Sequence, residues 1–230
     1  LNEERGRLTL VATPIGNLAD LSARAISALT EAQFWIVEDS RVSGKLASHL
    51  ELKKPMRVLN DHTAPYQIEK YAEELKAGAH AALITDGGAP AVSDPGALLT
   101  NLCQAHGVTI EGVPGPSAPI LALMVSGFFA QRFAFLGFLG RKAGDIRKEL
   151  AVFADSPLTL VLFESPHRLD TLLTAAHEAL GPRRYVLCRE LTKMHEQIYR
   201  STLPELGDET AVPRKGEITI VIEGRRRGDA

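Results

Sequence analysis

Cysteine is scarce in this chain, a net positive charge and long apolar runs are lacking, and each shortage excludes something. The 230 residues hold two cysteines, Cys103 and Cys188, with no CxxC pair, so neither a disulfide framework nor a zinc site is indicated. The formal net charge is −2. No global positive field draws in nucleic acid, and any RNA contact has to come from a local patch. The most apolar stretch, residues 118–130, contains Ser126 and Gly127 and is too short to span a bilayer. The N-terminus has no basic-then-apolar signal pattern. The expectation is a cytoplasmic protein with no membrane contact and no metal. A GxxxxGK sequence followed by Ser or Thr is absent, and no GxGxxG follows the first strand, which disfavours a P-loop and a Rossmann dinucleotide site.

What is present reads as globular. A hydrophobic fraction of 45% and a charged fraction of 23% match ordinary folded domains, and the length suffices for one large core or two small ones. The first half alternates strand-like and helix-like segments. Strands are expected at 7–12, 34–37, 56–59, 81–84 and 108–113, and helices at 20–32, 40–50, 65–76 and 96–106. Asp20 is the expected cap of the first helix and Pro65 opens the third. Such alternation predicts an α/β unit, a largely parallel sheet with helices on both faces. After Gly127 the rhythm changes. Strands at 133–138, 158–163, 185–189, 196–201 and 217–223, with helices at 142–154 and 166–180, predict an α+β domain with a mixed sheet. The expected division is 1–127, 128–224 and a frayed tail at 225–230.

Three loops carry the chemical signal. Thr13-Pro14-Ile15-Gly16-Asn17 follows the first strand, Asp86–Gly96 the fourth, and Pro114-Gly-Pro-Ser-Ala118 the fifth. Open α/β sheets bind ligands at the carboxyl ends of their strands. Glycine admits a close backbone approach and proline stiffens a loop. Each loop alone is an ordinary turn former; three after successive strands indicate a small-molecule site.

These loops and four further segments also form a specific series. TPIGN at 13–17, EDSR at 38–41, TDGGAPAVSDPG at 85–96, PGPSA at 114–118, FESPHR at 163–168, RELTK at 189–193 and KGEI at 215–218 occur in this order. The chain resembles the RsmI family of 16S ribosomal RNA (cytidine-2′-O)-methyltransferases, within the tetrapyrrole methylase fold, over residues 7–224. The resemblance implies a homodimer whose two domains clasp S-adenosylmethionine and methylate the ribose 2′-oxygen of a decoding-centre cytidine. It implies cofactor contacts at Asp86, Gly88, Ala89, Pro90, Val92, Ser117, Ala118, Phe163 and Gly216. It places Pro14, Gly16 and Asn17 on the substrate side.

Methyl transfer from a sulfonium needs alignment in a dry pocket, and a weakly acidic ribose hydroxyl is helped by a base or a cation. The candidates are Glu38, Asp39, Arg41, Glu190 and Lys193, with His62 also facing the task. Glu38 and Arg41 have a plainer reading as an ion pair at a strand end. Glu190 and Lys193 have one as supporting residues. Arg141, Lys142, His167 and Arg168 are candidate RNA contacts; the basic run that also includes Arg147 and Lys148 otherwise reads as a solvated helix face. In ESPHR, Ser165 reads as an N-cap and Pro166 as a helix start.

Four features depart from the family pattern. NDHT at 60–63 stands where an HExHN-like segment is common, DGGAP replaces DAGTP, and Gly140 replaces a proline. Many members also continue into a small C-terminal helical domain, whereas this sequence ends soon after Gly224. Two alternatives stay open: a methyltransferase of the same fold acting on a tetrapyrrole or other small molecule, and a non-catalytic RNA-binding factor.

Overall fold

In the first sheet, β-branched and aromatic strands alternate their side chains between two helical layers. The structure, a computed structural model, describes residues 6–226. The first unit contains β1 (Arg7–Val11), α1 (Ala23–Glu31), β2 (Phe34–Val37), α2 (Ser40–His49), β3 (Met56–Val58), α3 (Pro65–Lys76), β4 (His80–Leu83), α4 (Ala97–Ala105) and β5 (Thr109–Val113). Its strands pair in the order β3-β2-β4-β1-β5, all parallel. Phe34, Ile36, Ala81 and Leu83 pack on one face with Leu75 of α3 and Leu99 of α4. Trp35, Val37, Ala82 and Ile84 pack on the other with Leu29 of α1 and Leu46 of α2. That period-2 division is what a sheet buried on both faces requires. Trp35 is fully buried, and its indole N–H donates to Leu29 O at 2.9 Å, which satisfies its one polar atom.

The first helix starts later than expected. Asn17 Oδ1 accepts from Ala19 N at 3.0 Å and caps a 3-10 turn, Leu18–Asp20. Ser22 Oγ then accepts from Ala25 N at 3.1 Å and caps α1. Asp20 therefore ends a short turn instead of capping the helix.

The second unit contains α5 (Ala118–Ser126), β6 (Phe133–Phe138), α6 (Ala143–Ala151), β7 (Thr159–Glu164), α7 (Leu169–Leu180), β8 (Arg184–Arg189), β9 (Gln197–Thr202) and β10 (Ile218–Ile222). The sheet order is β6-β7-β10-β8-β9. Only β6 and β7 run parallel; the other pairs are antiparallel, which makes the sheet mixed. Leu160, Leu162, Tyr185, Leu187, Ile218 and Ile220 form one core face with Leu150 of α6 and Leu172 of α7. Helix α5 packs against β10, β7 and β8.

Two expectations need correction here. The chain divides into compact units at Ser117/Ala118, one helix before the expected boundary at 127/128, because α5 belongs with the second sheet. Arg225 and Arg226 are not frayed. Arg225 N–H donates to Ser156 O at 2.8 Å and its side chain pairs with Asp155, while Arg226 pairs with Glu223 at 3.3 Å. Residues 227–230 of the expected tail lie outside the described residues. Among the described residues, no helix is long and apolar enough to cross a membrane.

Candidate functional site

The connections after β1 and β4 part company. The chain leaves β1 for α1 on one face and β4 for α4 on the other. Adjacent parallel strands with diverging exits are where open sheets hold ligands. The loops there are joined by a two-residue antiparallel bridge. Thr13 N donates to Gly88 O at 2.9 Å, and Gly88 N donates back to Thr13 O at 3.0 Å. Thr13 Oγ1 also donates to Thr85 O at 3.2 Å.

Glycine is required at the centre of this bridge. Gly88 holds φ at +93°, a region a side chain enters only with strain, and a Cβ there would point at Ile15 Cγ2 (3.5 Å) and Pro116 O (3.9 Å). All three Gly/Pro loops of the first unit are therefore neighbours around one residue. Two non-glycine residues of the same segment, Ala91 (φ +64°) and Ser93 (φ +59°), also sit in the left-handed region. Strain of this kind persists only where the surroundings over-determine it, and it collects at binding sites. Of the expected cofactor contacts, Gly88 and Pro90 are buried, Ala89 is half-buried, and Asp86 and Val92 are exposed.

EDSR joins this loop cluster. Glu38 Oε2 accepts from Thr85 Oγ1 at 2.6 Å and from Asp86 N at 3.4 Å, and Asp39 N donates to Asp86 Oδ1 at 3.2 Å. Arg41 does not pair with Glu38, as expected in the plain reading. It makes a fork-shaped contact with Asp39, at 2.6 Å from Nη2 to Oδ2, while its side chain stays 89% exposed. The cause is local: Asp39 caps α2 by accepting from Arg41 N at 2.8 Å, and its carboxylate already faces that side chain.

Carboxylates outnumber cations here, and their ionisation shows it. Partial desolvation of its carboxyl, then the charge of Glu38, pushes Asp86 above its ordinary value although the residue is exposed. Burial followed by Glu38 pushes Asp94 up to about 6, against a hydrogen bond from Thr85, with Asp86 and Asp61 adding to the rise. Asp39 alone is held down, at about 2, by the bond from the Arg41 side chain. Asp94 was not singled out in the sequence, although it lies within the Asp86–Gly96 loop. NDHT closes on itself: His62 N donates to Asn60 Oδ1 at 3.0 Å and Thr63 N to Asn60 O at 2.9 Å, which leaves His62 exposed. Pro14 is half-buried, whereas Gly16 and Asn17 are exposed, and the Asn17 side chain is occupied as a cap.

In the second unit, RELTK and KGEI form one closed network. Glu190 N donates to Glu217 O at 2.9 Å, and Glu190 Oε1 accepts from Glu217 N at 2.8 Å and Lys193 Nζ at 3.0 Å. Lys193 Nζ also reaches Glu217 Oε2 at 2.9 Å. Burial works against the charge on both Glu190 and Lys193, yet these bonds outweigh it. Glu190 is held below its usual range and Lys193 above it. These bonds favour Lys193 in its cationic form. Gly216, at φ +88°, lies over the Glu190 side chain, and a Cβ there would fall 2.7 Å from Glu190 Cγ.

Phe163 of β7 stands between the rings of Phe135 (5.1 Å) and Phe138 (5.5 Å). In FESPHR, Ser165 occupies the cap position without a side-chain bond, and Pro166–Arg168 form a 3-10 turn ahead of α7. His167 is exposed, while Arg168 Nη2 donates to Gly140 O at 2.6 Å and lies 3.4 Å from Glu164. Arg141 and Lys142 are exposed ahead of α6, which ends at Ala151, short of the expected 154. Arg147 is not part of a merely solvated face, since it pairs with Glu178 at 2.5 Å. Ser117 and Ala118 are half-buried and fall on either side of the division between units.

With this geometry in place, similarity to known proteins becomes informative. A family model described as Tetrapyrrole (Corrin/Porphyrin) Methylases matches residues 7–207. A Haemophilus influenzae protein named ribosomal RNA small subunit methyltransferase I is 39% identical over 228 residues, covering 97% of this chain and 81% of that one. A Xylella fastidiosa protein of the same name is 40% identical over 229 residues, covering 98% and 84%. Among solved structures, uroporphyrin-III C-methyltransferase from Thermus thermophilus complexed with S-adenyl homocysteine aligns with a TM-score of 0.66 at 23% identity, over 94% of this chain and 97% of that one. That likeness shows the fold.

Proposed function

The chain belongs to the ribosomal RNA small subunit methyltransferase I family, within the tetrapyrrole (corrin/porphyrin) methylases, and from that premise we propose that it methylates the ribose 2′-oxygen of a decoding-centre cytidine in 16S rRNA. It is a methyltransferase with S-adenosylmethionine as methyl donor. The observation that carries the site is the Thr13–Gly88 bridge, which gathers the three Gly/Pro loops around a glycine at positive φ.

The residues present fit that cofactor. When bound, it supplies a methyl group on a positively charged sulfur. The loop cluster offers backbone groups next to a glycine without Cβ, within a set of carboxylates (Glu38, Asp86, Asp94) that suits a cation. The proposed cofactor contacts are Asp86, Gly88, Ala89, Pro90 and Val92, with Ser117, Ala118, Phe163 and Gly216 carried by motif. Pro14, Gly16, Asn17 and His62 are proposed for the substrate. Glu38 and Glu190 are the proposed proton acceptors for the ribose hydroxyl. Arg41 and Lys193 are proposed as cations that stabilise the developing oxygen charge. A cytoplasmic homodimer completes the proposal.

The test is direct. The protein is incubated with methyl-labelled S-adenosylmethionine and small ribosomal subunits from a strain lacking the modification, and the label is then mapped. Label on a decoding-centre ribose is expected. Cofactor binding with no transfer to ribosomal RNA would overturn the proposal.

A further inference from the structure

One irregularity in the second sheet aims an aromatic side chain outward. Strand β6 lies at the sheet's edge, and its register against β7 shifts between Phe135, which faces Val161, and Phe138, which faces Phe163. Three steps along β6 thus match two along β7. Gly137, at φ +62°, absorbs the extra residue. In a regular strand Phe138 would point to the face opposite Phe135. The bulge returns it to the same face, where both rings flank Phe163, and it leaves Phe138 64% exposed.

The chain beyond Phe138 is pinned. Gly140 N donates to Glu149 Oε1 at 2.9 Å, and Gly140 O accepts from Arg168 Nη2 at 2.6 Å. A Cβ at Gly140 would fall 2.7 Å from Asp145 Cβ, so the loop seats tightly on α6. Arg141 and Lys142 follow at once, both exposed. Neither makes an ion pair among the described residues, whereas Arg147 on the same helix is taken by Glu178. Arg168, also an expected substrate contact, donates to the loop that presents these two cations.

Resting on the RNA-methylating function above, we propose that this end of β6 is an RNA-docking surface: Phe138 stacks an unpaired base, and Arg141 and Lys142 hold the flanking phosphates. An exposed ring held at its back by another aromatic, beside two unpaired cations on a fixed loop, suits single-stranded RNA. The chain as a whole is slightly acidic, so this local complementarity has to do the recruiting.

The test measures binding of the full chain to a 16S rRNA transcript by fluorescence anisotropy. Phe138→Ala is expected to weaken binding by about five- to a hundredfold, the loss of one base–aromatic stack, and Phe138→Trp to keep it. The double variant Arg141→Ala/Lys142→Ala is expected to flatten the slope of log affinity against log salt by about 1.4, two phosphate contacts on a single strand. Affinity for S-adenosylmethionine, by calorimetry, stays unchanged in the double variant and in Phe138→Trp, which keeps an aromatic ring against Phe163. Wild-type RNA affinity in Phe138→Ala would overturn the docking surface while leaving the enzymatic reading intact. Loss of cofactor affinity in the double variant or in Phe138→Trp, or an altered oligomeric state by light scattering, would overturn it by assigning this surface to another contact. A wild-type chain that neither binds nor methylates the rRNA would sink the docking surface and the functional proposal together.

Discussion

Gly88 combines a positive φ of +93° with the backbone bridge to Thr13. A β-branched residue there pays about 1–3 kcal/mol of backbone strain in the loop proposed to hold the methyl donor. Gly88→Val is therefore expected to weaken S-adenosylmethionine binding by at least about tenfold, read by calorimetry, with an unchanged far-ultraviolet spectrum. Equal affinity in variant and wild type would move the cofactor elsewhere. Asp94 makes a separate, pH-dependent case. Its carboxyl is raised from 3.8 to about 6, chiefly by burial and then by Glu38. A carboxyl raised on folding contributes stability below its unfolded pKa and loses it as pH rises through the folded value. Asp94→Asn should therefore raise the thermal midpoint at about pH 7.5, with the gain fading as pH falls through 6 towards 4. Binding of a cationic cofactor favours the ionised form. Affinity of the wild type should thus rise with pH across the same window, and the Asn variant should flatten that rise. A thermal gain of equal size at both ends of the window would refute the titration. SDPG was legible in the sequence as part of the Asp86–Gly96 ligand loop, but Asp94 itself was not singled out. What burial and Glu38 do to Asp94 depends on residues 56 positions away in the chain, and no local pattern carries that.

At the scale of elements, local chemistry was enough where it was strong. Phe34–Val37, Pro65–Lys76 and Phe133–Phe138 occupy the residues that periodicity, a first-turn proline and aromatic alternation indicate. Helix α5 escaped notice because Ala118–Ser126 is apolar nearly all round, so no amphipathic stripe marks it. Nor was strand order legible, because β10 enters between β7 and β8 only through long-range pairing. A similar non-local device ties three element ends together. Buried Arg183 donates to Leu180 O (3.2 Å) at the end of α7, Ala154 O (2.6 Å) beyond α6 and Glu223 O (3.4 Å) beyond β10. Arg183→Leu removes the donor to all three carbonyls, of which the one at Leu180 is buried, at a cost of about 1–3 kcal/mol for each that water cannot reach. Urea denaturation should show a lower midpoint at an unchanged slope, and a midpoint equal to the wild type would mean solvent takes over all three bonds.

For the whole molecule, the division at Ser117/Ala118 instead of 127/128 has a physical consequence. Each unit carries its own buried core: two layers around the parallel sheet in the first, and the Leu/Ile cluster under α6 and α7 in the second. The opposite face of the second sheet presents Val161, Val186, Cys188 and Val221, all buried, and α5 packs there through Ala122 and Leu123. A fragment beginning at residue 118 keeps that cover, whereas one beginning at 128 bares an apolar sheet face of the kind that drives association. The longer fragment is expected to unfold cooperatively in urea and to remain soluble. The shorter one should unfold at lower urea or aggregate. Equal behaviour of the two would mean that α5 contributes no stability to the second unit, and the boundary indicated by the change of rhythm after Gly127 would then be the better one. The distinction bears on function as well, because PGPSA ends on Ala118, the first residue of α5. A loop proposed to touch the cofactor is thus continuous with the helix that closes the second core, so loosening α5 should lower S-adenosylmethionine affinity in the intact chain. Leu123→Ala, which truncates a buried side chain of α5 that is not itself a proposed cofactor contact, should weaken that affinity together with the second unit's stability; lost stability at full affinity would show that the loop is held without the helix.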